Sequence, residues 1–260
     1  NLSYSIGGNY SYNKNTLKDV KPAYDGTIGG SLNNGQITKQ LKKGQPLYAW
    51  YMYEAVGVWQ TEAEIANGVA TTGAKPGYLK YKDQNGDGVI DENDKIFHGS
   101  YLPSSTFGLN LSVNYKKWDF TAQGYGVAGN KIYNGLKGTR VDGGENITKE
   151  TFDNRWTGAG TSNTHPGAAH DALTLNYYLE SGAYFRINNL TLGYTIPKLY
   201  NATSKIRMYV TAQNPFIFTK YTGFSPEITG TNSGVPSETA GIELSAYPTT
   251  RNFMFGVNVS

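Results

Sequence analysis

Apolar and polar positions alternate without exception from Thr106 to Tyr115. Phe107, Leu109, Leu111, Val113 and Tyr115 fall on one side, and Thr106, Gly108, Asn110, Ser112 and Asn114 on the other. Successive side chains of a strand point to opposite faces, so the pattern predicts a strand with one apolar and one polar face. Its length suffices for a tilted strand to cross a bilayer. The pattern recurs. Leu2, Tyr4 and Ile6 alternate with Ser3, Ser5 and Gly7; Leu190, Leu192, Tyr194 and Ile196 with Asn189, Thr191, Gly193 and Thr195. Ile206, Met208 and Val210 alternate with Arg207, Tyr209 and Thr211, and Phe253, Phe255, Val257 and Val259 with Met254, Gly256, Asn258 and Ser260. A soluble sandwich also alternates. A polar face built so largely of Ser, Thr, Asn and Gly suits a water-filled lumen better.

The connections divide into short and long. Only Lys116 and Lys117 separate Tyr115 from Trp118, and a short segment containing Pro197 joins Ile196 to Ile206. The others run over about Lys14–Gly35, Val58–Ser105, Gly129–Gly182 and Pro215–Thr250. Short turns on one rim and long loops on the other describe an outer-membrane barrel with its short rim periplasmic. Tyr115, Trp118 and Tyr194 beside the short turns suit an interfacial aromatic girdle. Leu47–Gly57 reads as a further rising strand. That requires a descending strand near Gly35–Leu41, with Lys42-Lys43-Gly44 as another short turn, for about eight strands in all. A closed barrel of that size fills its own interior. Loops this long point to a larger assembly.

Composition changes the picture in three places. The 260 residues contain 32 Gly and 21 Tyr, and only 17% are charged, below the usual quarter of a soluble domain. Mean hydropathy is −0.49, and no apolar run reaches the length of a membrane-spanning helix. Barrel strands average out to hydrophilic, so this excludes only helical membrane proteins. A net charge of +3 without a Lys/Arg block gives no sign of nucleic-acid binding, and the absence of Cys removes disulfides and thiolate metal sites. The sequence opens on Asn1 inside an alternating stretch, without start Met or signal peptide, as expected of a portion of a longer protein.

One segment carries specific chemistry. Asp83-Gln84-Asn85-Gly86-Asp87-Gly88-Val89-Ile90-Asp91-Glu92-Asn93-Asp94 follows the grammar of a calcium loop. Oxygen ligands fall at Asp83, Asn85 and Asp87, Gly88 supplies the sharp turn, Val89 offers its carbonyl, and Asp91 acts through water. Asp94 closes the loop where a longer, bidentate Glu is usual, so affinity is expected to be modest. The flanks do not read as amphipathic helices, so a bare loop and no helix–loop–helix switch is expected. His98, His165 and His170 are the only histidines, and no third zinc ligand accompanies the last two. No nucleophile elbow, phosphate loop or paired acid/base is present, so no enzyme is expected and no catalytic residue is assigned. Thr151–Trp156 and Asn176–Glu180 hold aromatics able to stack on sugar rings or peptide side chains, or simply to pack a loop. Arg186, Arg207 and Arg251 fall at lumen or rim positions.

Leu2–Asn15 (LSYSIGGNYSYNKN), Gly44–Thr61 (GQPLYAWYMYEAVGVWQT) with Glu64, and the Tyr81–Asp94 segment resemble the SusC/RagA family of TonB-dependent outer-membrane transporters of Bacteroidota. So do Leu179–Pro197 (LESGAYFRINNLTLGYTIP), Val210–Glu227 (VTAQNPFIFTKYTGFSPE) and Tyr247–Val259. The resemblance implies an all-β fold: residues 1–260 as the C-terminal portion of a 22-stranded plugged barrel embedded in outer-membrane lipid and lipopolysaccharide. Residues 83–94 then form a structural calcium loop within the extracellular loop 58–105. It further implies import of oligosaccharides or peptides, coupling to TonB through the missing N-terminal part, partnership with the remaining barrel and plug, and a SusD-like surface lipoprotein as lid. Family members typically end in an aromatic residue, where this sequence has Ser260. The competing expectation is a secreted, calcium-stabilised β-sandwich for binding or adhesion. It requires Phe107, Leu109, Leu111, Phe253 and Phe255 to pack between two sheets.

Overall fold

The fold is given by a computed structural model, which describes residues 2–24, 28–31, 37–138, 146–168, 175–197, 204–228, 240–244 and 247–260. Its largest element is one antiparallel sheet of six strands. These are β1 (Leu2–Tyr12), β2 (Ser105–Tyr115), β3 (Trp118–Ala128), β4 (Tyr184–Pro197), β5 (Lys205–Thr219) and β6 (Asn252–Val259). They lie side by side in chain order, an up-and-down meander. The sheet does not close, and β1 and β6 are its edges.

Register explains why the alternation was so regular. Ile6, Leu111 and Ala122 stand opposite one another, as do Tyr4, Val113 and Phe120. Across the next strands Phe120 pairs Leu192, Leu192 pairs Val210 and Val210 pairs Phe255. Directly paired residues share a face, so one side of the whole sheet is apolar. A bulge between Ile187 and Asn189 shifts β4 against both neighbours. It keeps Phe185 and Ile187 on the apolar side, against Gly126 and Gly124. The short turn is tight: Lys116 has φ 57°, the left-handed conformation that lets a two-residue loop follow the twist of its strands. Beside it Trp118 and Tyr194 lie with ring centroids 4.7 Å apart on the apolar face, where a girdle was expected.

No second layer covers that face among the described residues. Phe253 is 72% exposed, Phe255 69% and Leu109 47%. The sandwich expectation is therefore overturned, because its inter-sheet residues have no sheet against them. A soluble monomer rarely exposes a continuous apolar surface of this extent; a strand wall against lipid requires one.

The buried core lies elsewhere. It consists of Trp50, Met52, Tyr53, Val58, Leu79 and Tyr81 from the 13–104 connection, Tyr133, Leu175 and Tyr178 from 129–183, and Ile242 from 220–251. Hydrogen bonds join the three: Trp50 Nε1 donates to the Lys131 carbonyl at 3.1 Å, the Asn176 amide to Tyr53 O at 3.0 Å, and the Tyr133 amide to Gly241 O at 2.8 Å. The long loops thus fold together as one packed body on the long-loop rim.

This corrects the strand count. Among the described residues the wall holds six strands rather than about eight. β1 pairs directly with β2 from Leu2↔Tyr115 to Tyr12↔Ser105, leaving no room between them for Leu47–Gly57 or a partner near Gly35–Leu41. Both segments are strands, but short ones of the loop body: Ile37–Gln40 pairs with Ala49–Met52, and Ala55–Val58 with Leu79–Tyr81. Ala49, Trp50 and Met52 are fully buried, so this run is apolar because protein surrounds it. The Lys42–Gly44 turn accordingly lies in the loop body.

Candidate functional site

The polar face of the wall carries an organised set of charges. Asp119 on β3 and Arg207 on β5 form a forked pair, Nε to Oδ1 at 3.0 Å and Nη2 to Oδ2 at 2.5 Å. They meet across Gly193 of the intervening β4. A Cβ at Gly193 would sit 2.4 Å from Asp119 Oδ1 and 2.6 Å from Arg207 Nη2, so glycine is what permits the bridge. The Arg207 guanidinium also lies 4.8 Å from the Tyr209 ring. Both wall arginines singled out in the sequence, Arg186 and Arg207, thus face away from the apolar side; Arg251 is exposed just before β6.

Arg186 anchors a loop. It is 4% exposed, and its guanidinium donates to Glu227 at 3.0 Å through Nε and reaches the other carboxylate oxygen at 2.8 Å. Tyr125 donates to the same carboxylate at 2.6 Å, and Thr249 at 3.3 Å. Glu227 is the fastening between the 220–251 loop and the polar face. Burial acts to raise its carboxyl, but Tyr125 and Arg186 outweigh it and hold the group below its ordinary value of 4.5. A depressed carboxylate contributes stability above its unfolded value and loses it as pH falls through the folded one. The 220–251 loop should therefore become protease-sensitive on acidification below 4.5, and Glu227→Gln should expose it already at neutral pH.

The two aromatic tracts noted in the sequence converge. Thr151 and Arg155 from the first and Tyr177 and Tyr178 from the second line a single cavity of about 120 Å³, closed on the other side by Thr222 and Phe224. The first tract forms a short helix, Lys149–Asn154, whose N-terminus is capped by the Thr148 hydroxyl accepting from the Thr151 amide at 3.2 Å. Tyr177 and Tyr178 pack edge to face at 5.0 Å. Burial, with Glu150 and Glu180 nearby, pushes the Tyr177 phenol up to about 12, so it stays neutral. The segment Tyr221–Ser225 is held from two sides. Glu180 accepts from the Thr222 amide at 2.7 Å, and buried Glu243 accepts from the Phe224 amide at 2.9 Å and from the Tyr221 hydroxyl. Desolvation raises the Glu243 carboxyl.

The acidic loop keeps its expected turn. Gly88 holds φ 82°, and Asp83 accepts from the Gly86 and Gly88 amides at 2.7 and 2.9 Å. Asp87 accepts from the Val89 amide at 2.9 Å. Asp94 is fully buried and closes the loop by accepting from the Gln84 and Asp91 amides, both at 2.8 Å. Burial acts to raise its carboxyl, but those amides hold it below the usual range. The strand Leu79–Tyr81 leads in and a 3-10 turn, Glu92–Asp94, leads out, with no helix on either side. The donors suit a hard cation in type and order. They have not converged: among the described residues no three His, Asp or Glu side chains stand together as a metal cluster.

His98 is half-buried, its Nε2 3.3 Å from the Met52 carbonyl, and burial lowers its pKa. His165 touches Thr164 and, edge to face, Tyr177. His170 lies outside the described residues. The sequence names Glu180 and Glu227 only as the ends of longer segments and does not single out Glu243; their fastening of loops distant in sequence leaves no local signal.

No family model matches the sequence. Among curated proteins it is 28% identical to TonB-dependent receptor P3 of Formosa agariphila over 270 aligned residues, covering 99% of this chain and 27% of that protein. It is 24% identical to TonB-dependent receptor SusC of Bacteroides thetaiotaomicron, covering 99% of this chain and 24% of SusC. Among solved structures it superposes on the RagAB peptide transporter with a TM-score of 0.67 at 18% identity, over 99% of this chain and 27% of that one. Against the RagAB importer in its closed-closed state the TM-score is 0.68 at 19% identity, with the same coverage. The chain spans about a quarter of the length of the curated relatives it matches. Over nearly its whole length the chain is similar to TonB-dependent receptors, SusC among them, and its open sheet has the fold of a section of a β-barrel wall.

Proposed function

We propose that the chain is the C-terminal section of an outer-membrane importer that takes up oligosaccharides or peptides under TonB control, with a SusD-like lipoprotein over its loops. The carrying observation is the wall: six strands with a continuous apolar face, an organised polar face, and long loops packed on one rim. Earlier strands complete the barrel at the open edges of β1 and β6. The plug occupies the polar side, where Asp119–Arg207 and Arg186–Glu227 keep the charges paired. The protein moves its cargo without chemical change. Disrupting the gene in the source bacterium should abolish uptake of one nutrient class, to the extent seen when the proton gradient is collapsed. Unchanged uptake of every oligosaccharide and peptide class would contradict the assignment.

In the same reading the Asp83–Asp94 loop holds calcium as a structural ion on the outer surface. Asp83, Asn85, Asp87, the Val89 carbonyl, Asp91 through water, and Asp94 are its ligands, and the ion stiffens the loop without chemistry. Calorimetric titration of the full-length protein should give one site with a dissociation constant on the order of 10⁻⁴–10⁻³ M, typical of extracellular modules. Asp83→Asn with Asp87→Asn should weaken it at least about tenfold. Absence of binding heat at millimolar calcium would remove the ion.

A further inference from the structure

We infer that the cavity between the 129–183 and 220–251 loops is a subsite for one apolar side chain of a peptide, with Arg155 receiving the peptide's carboxylate. This rests on the import reading and narrows its cargo. At about 120 Å³ the cavity approaches the roughly 150 Å³ of an apolar cavity known to accept benzene, so it holds one ring or one branched aliphatic group. Its walls come from Leu136, Ile147, Pro166, Tyr177, Tyr178 and Phe224, a predominantly apolar surface.

Asn134 and the threonines that line it already have hydrogen-bond partners within the protein. Asn134 donates to Glu180 at 2.9 Å and accepts the Lys137 amide at 3.2 Å. The Thr148 and Thr151 hydroxyls bond each other at 2.9 Å, and Thr222 donates to Glu180 at 2.7 Å. A sugar ring entering here would bury hydroxyls without partners, a cost that an apolar side chain avoids.

Charge supplies the second half. Among the described residues no Asp or Glu lines the cavity, whereas Lys137 and Arg155 do. Lys137 is spent on Thr222 at 2.7 Å and on Glu180 at 3.7 Å. Arg155 lies over the Phe152 ring and gives a hydrogen bond to the Phe152 carbonyl, but no carboxylate pairs with it among the described residues. A guanidinium carries five donors in a planar fork matched to a carboxylate, so Arg155 retains capacity for one. The cavity is also next to the polar face: Phe224 precedes by three residues the Glu227 that fastens this loop to Arg186.

Calorimetric titration of the full-length solubilised protein tests this with three probes: Ala-Ala-Phe, its C-terminal amide, and trigalacturonate. The free acid should bind about tenfold more tightly than the amide and the trisaccharide, the factor one charge-assisted hydrogen bond supplies. Arg155→Gln should erase the advantage of acid over amide, and Arg155→Lys should restore part of it. Ala168→Trp, at an exposed position on the cavity wall, should weaken acid and amide alike. Equal binding of acid and amide, tighter binding of trigalacturonate, or no binding by any probe would overturn the assignment. Binding is read without uptake, so failed uptake in cells counts against the import reading alone.

Discussion

Leu111→Arg should prevent the full-length barrel from assembling in the outer membrane, while the neighbouring Asn110→Arg should leave assembly intact. Leu111 lies at the middle of β2, paired with Ile6 on one side and Ala122 on the other, on the face that meets lipid. An arginine at the bilayer midplane of a barrel costs about 2–4 kcal/mol. That is a large fraction of the 5–15 kcal/mol typical of a folded domain. Asn110 is one residue away on the polar face, paired with Gly7 and Gln123, where a guanidinium stays hydrated. Heat-modifiable migration on gels reads the folded fraction. Similar folded fractions for the two variants would mean that the sheet has no lipid face.

Trp50→Ala should unravel the loop body and spare the wall. Trp50 is fully buried, with its ring 6.3 Å from Tyr133 and its indole N–H on the Lys131 carbonyl. Truncating a buried aromatic of this size costs about 3–5 kcal/mol. The core contains no residue of β1–β6, so the loss falls on the loops. Protease added to intact cells should then cut within 13–104 and 129–183, while heat-modifiable migration of the barrel persists. Loss of the barrel together with the loops would show that the loop core supports the wall.

These two predictions also separate what the sequence made legible from what it hid. A wall strand meets lipid on one side and water on the other, so its environment is written at every second residue; Thr106–Tyr115 could be read from this alone. Ala49–Met52 is surrounded by protein and Ala55–Val58 buries only Val58, and their apolar run resembles a wall strand while pairing within a loop. Only the long-range pairing of β1 with β2 tells the two apart. The site followed the same division. The Asp83–Asp94 turn is local and was recognisable. The meeting of Arg155 with Tyr177 and the clamps at Glu180, Glu227 and Glu243 join distant segments, and no spacing encodes them.

The most direct test of the wall uses the absence of Cys from the chain. Single cysteines placed in the full-length protein at each position from Thr106 to Val113 are probed with a water-soluble maleimide. Each is then labelled with a fluorophore and exposed to brominated lipid. Positions 107, 109, 111 and 113 should resist the maleimide and show lipid quenching, while 106, 108, 110 and 112 should react and escape quenching. Quenching without this two-residue period, or at none of these positions, would contradict a membrane-spanning barrel wall.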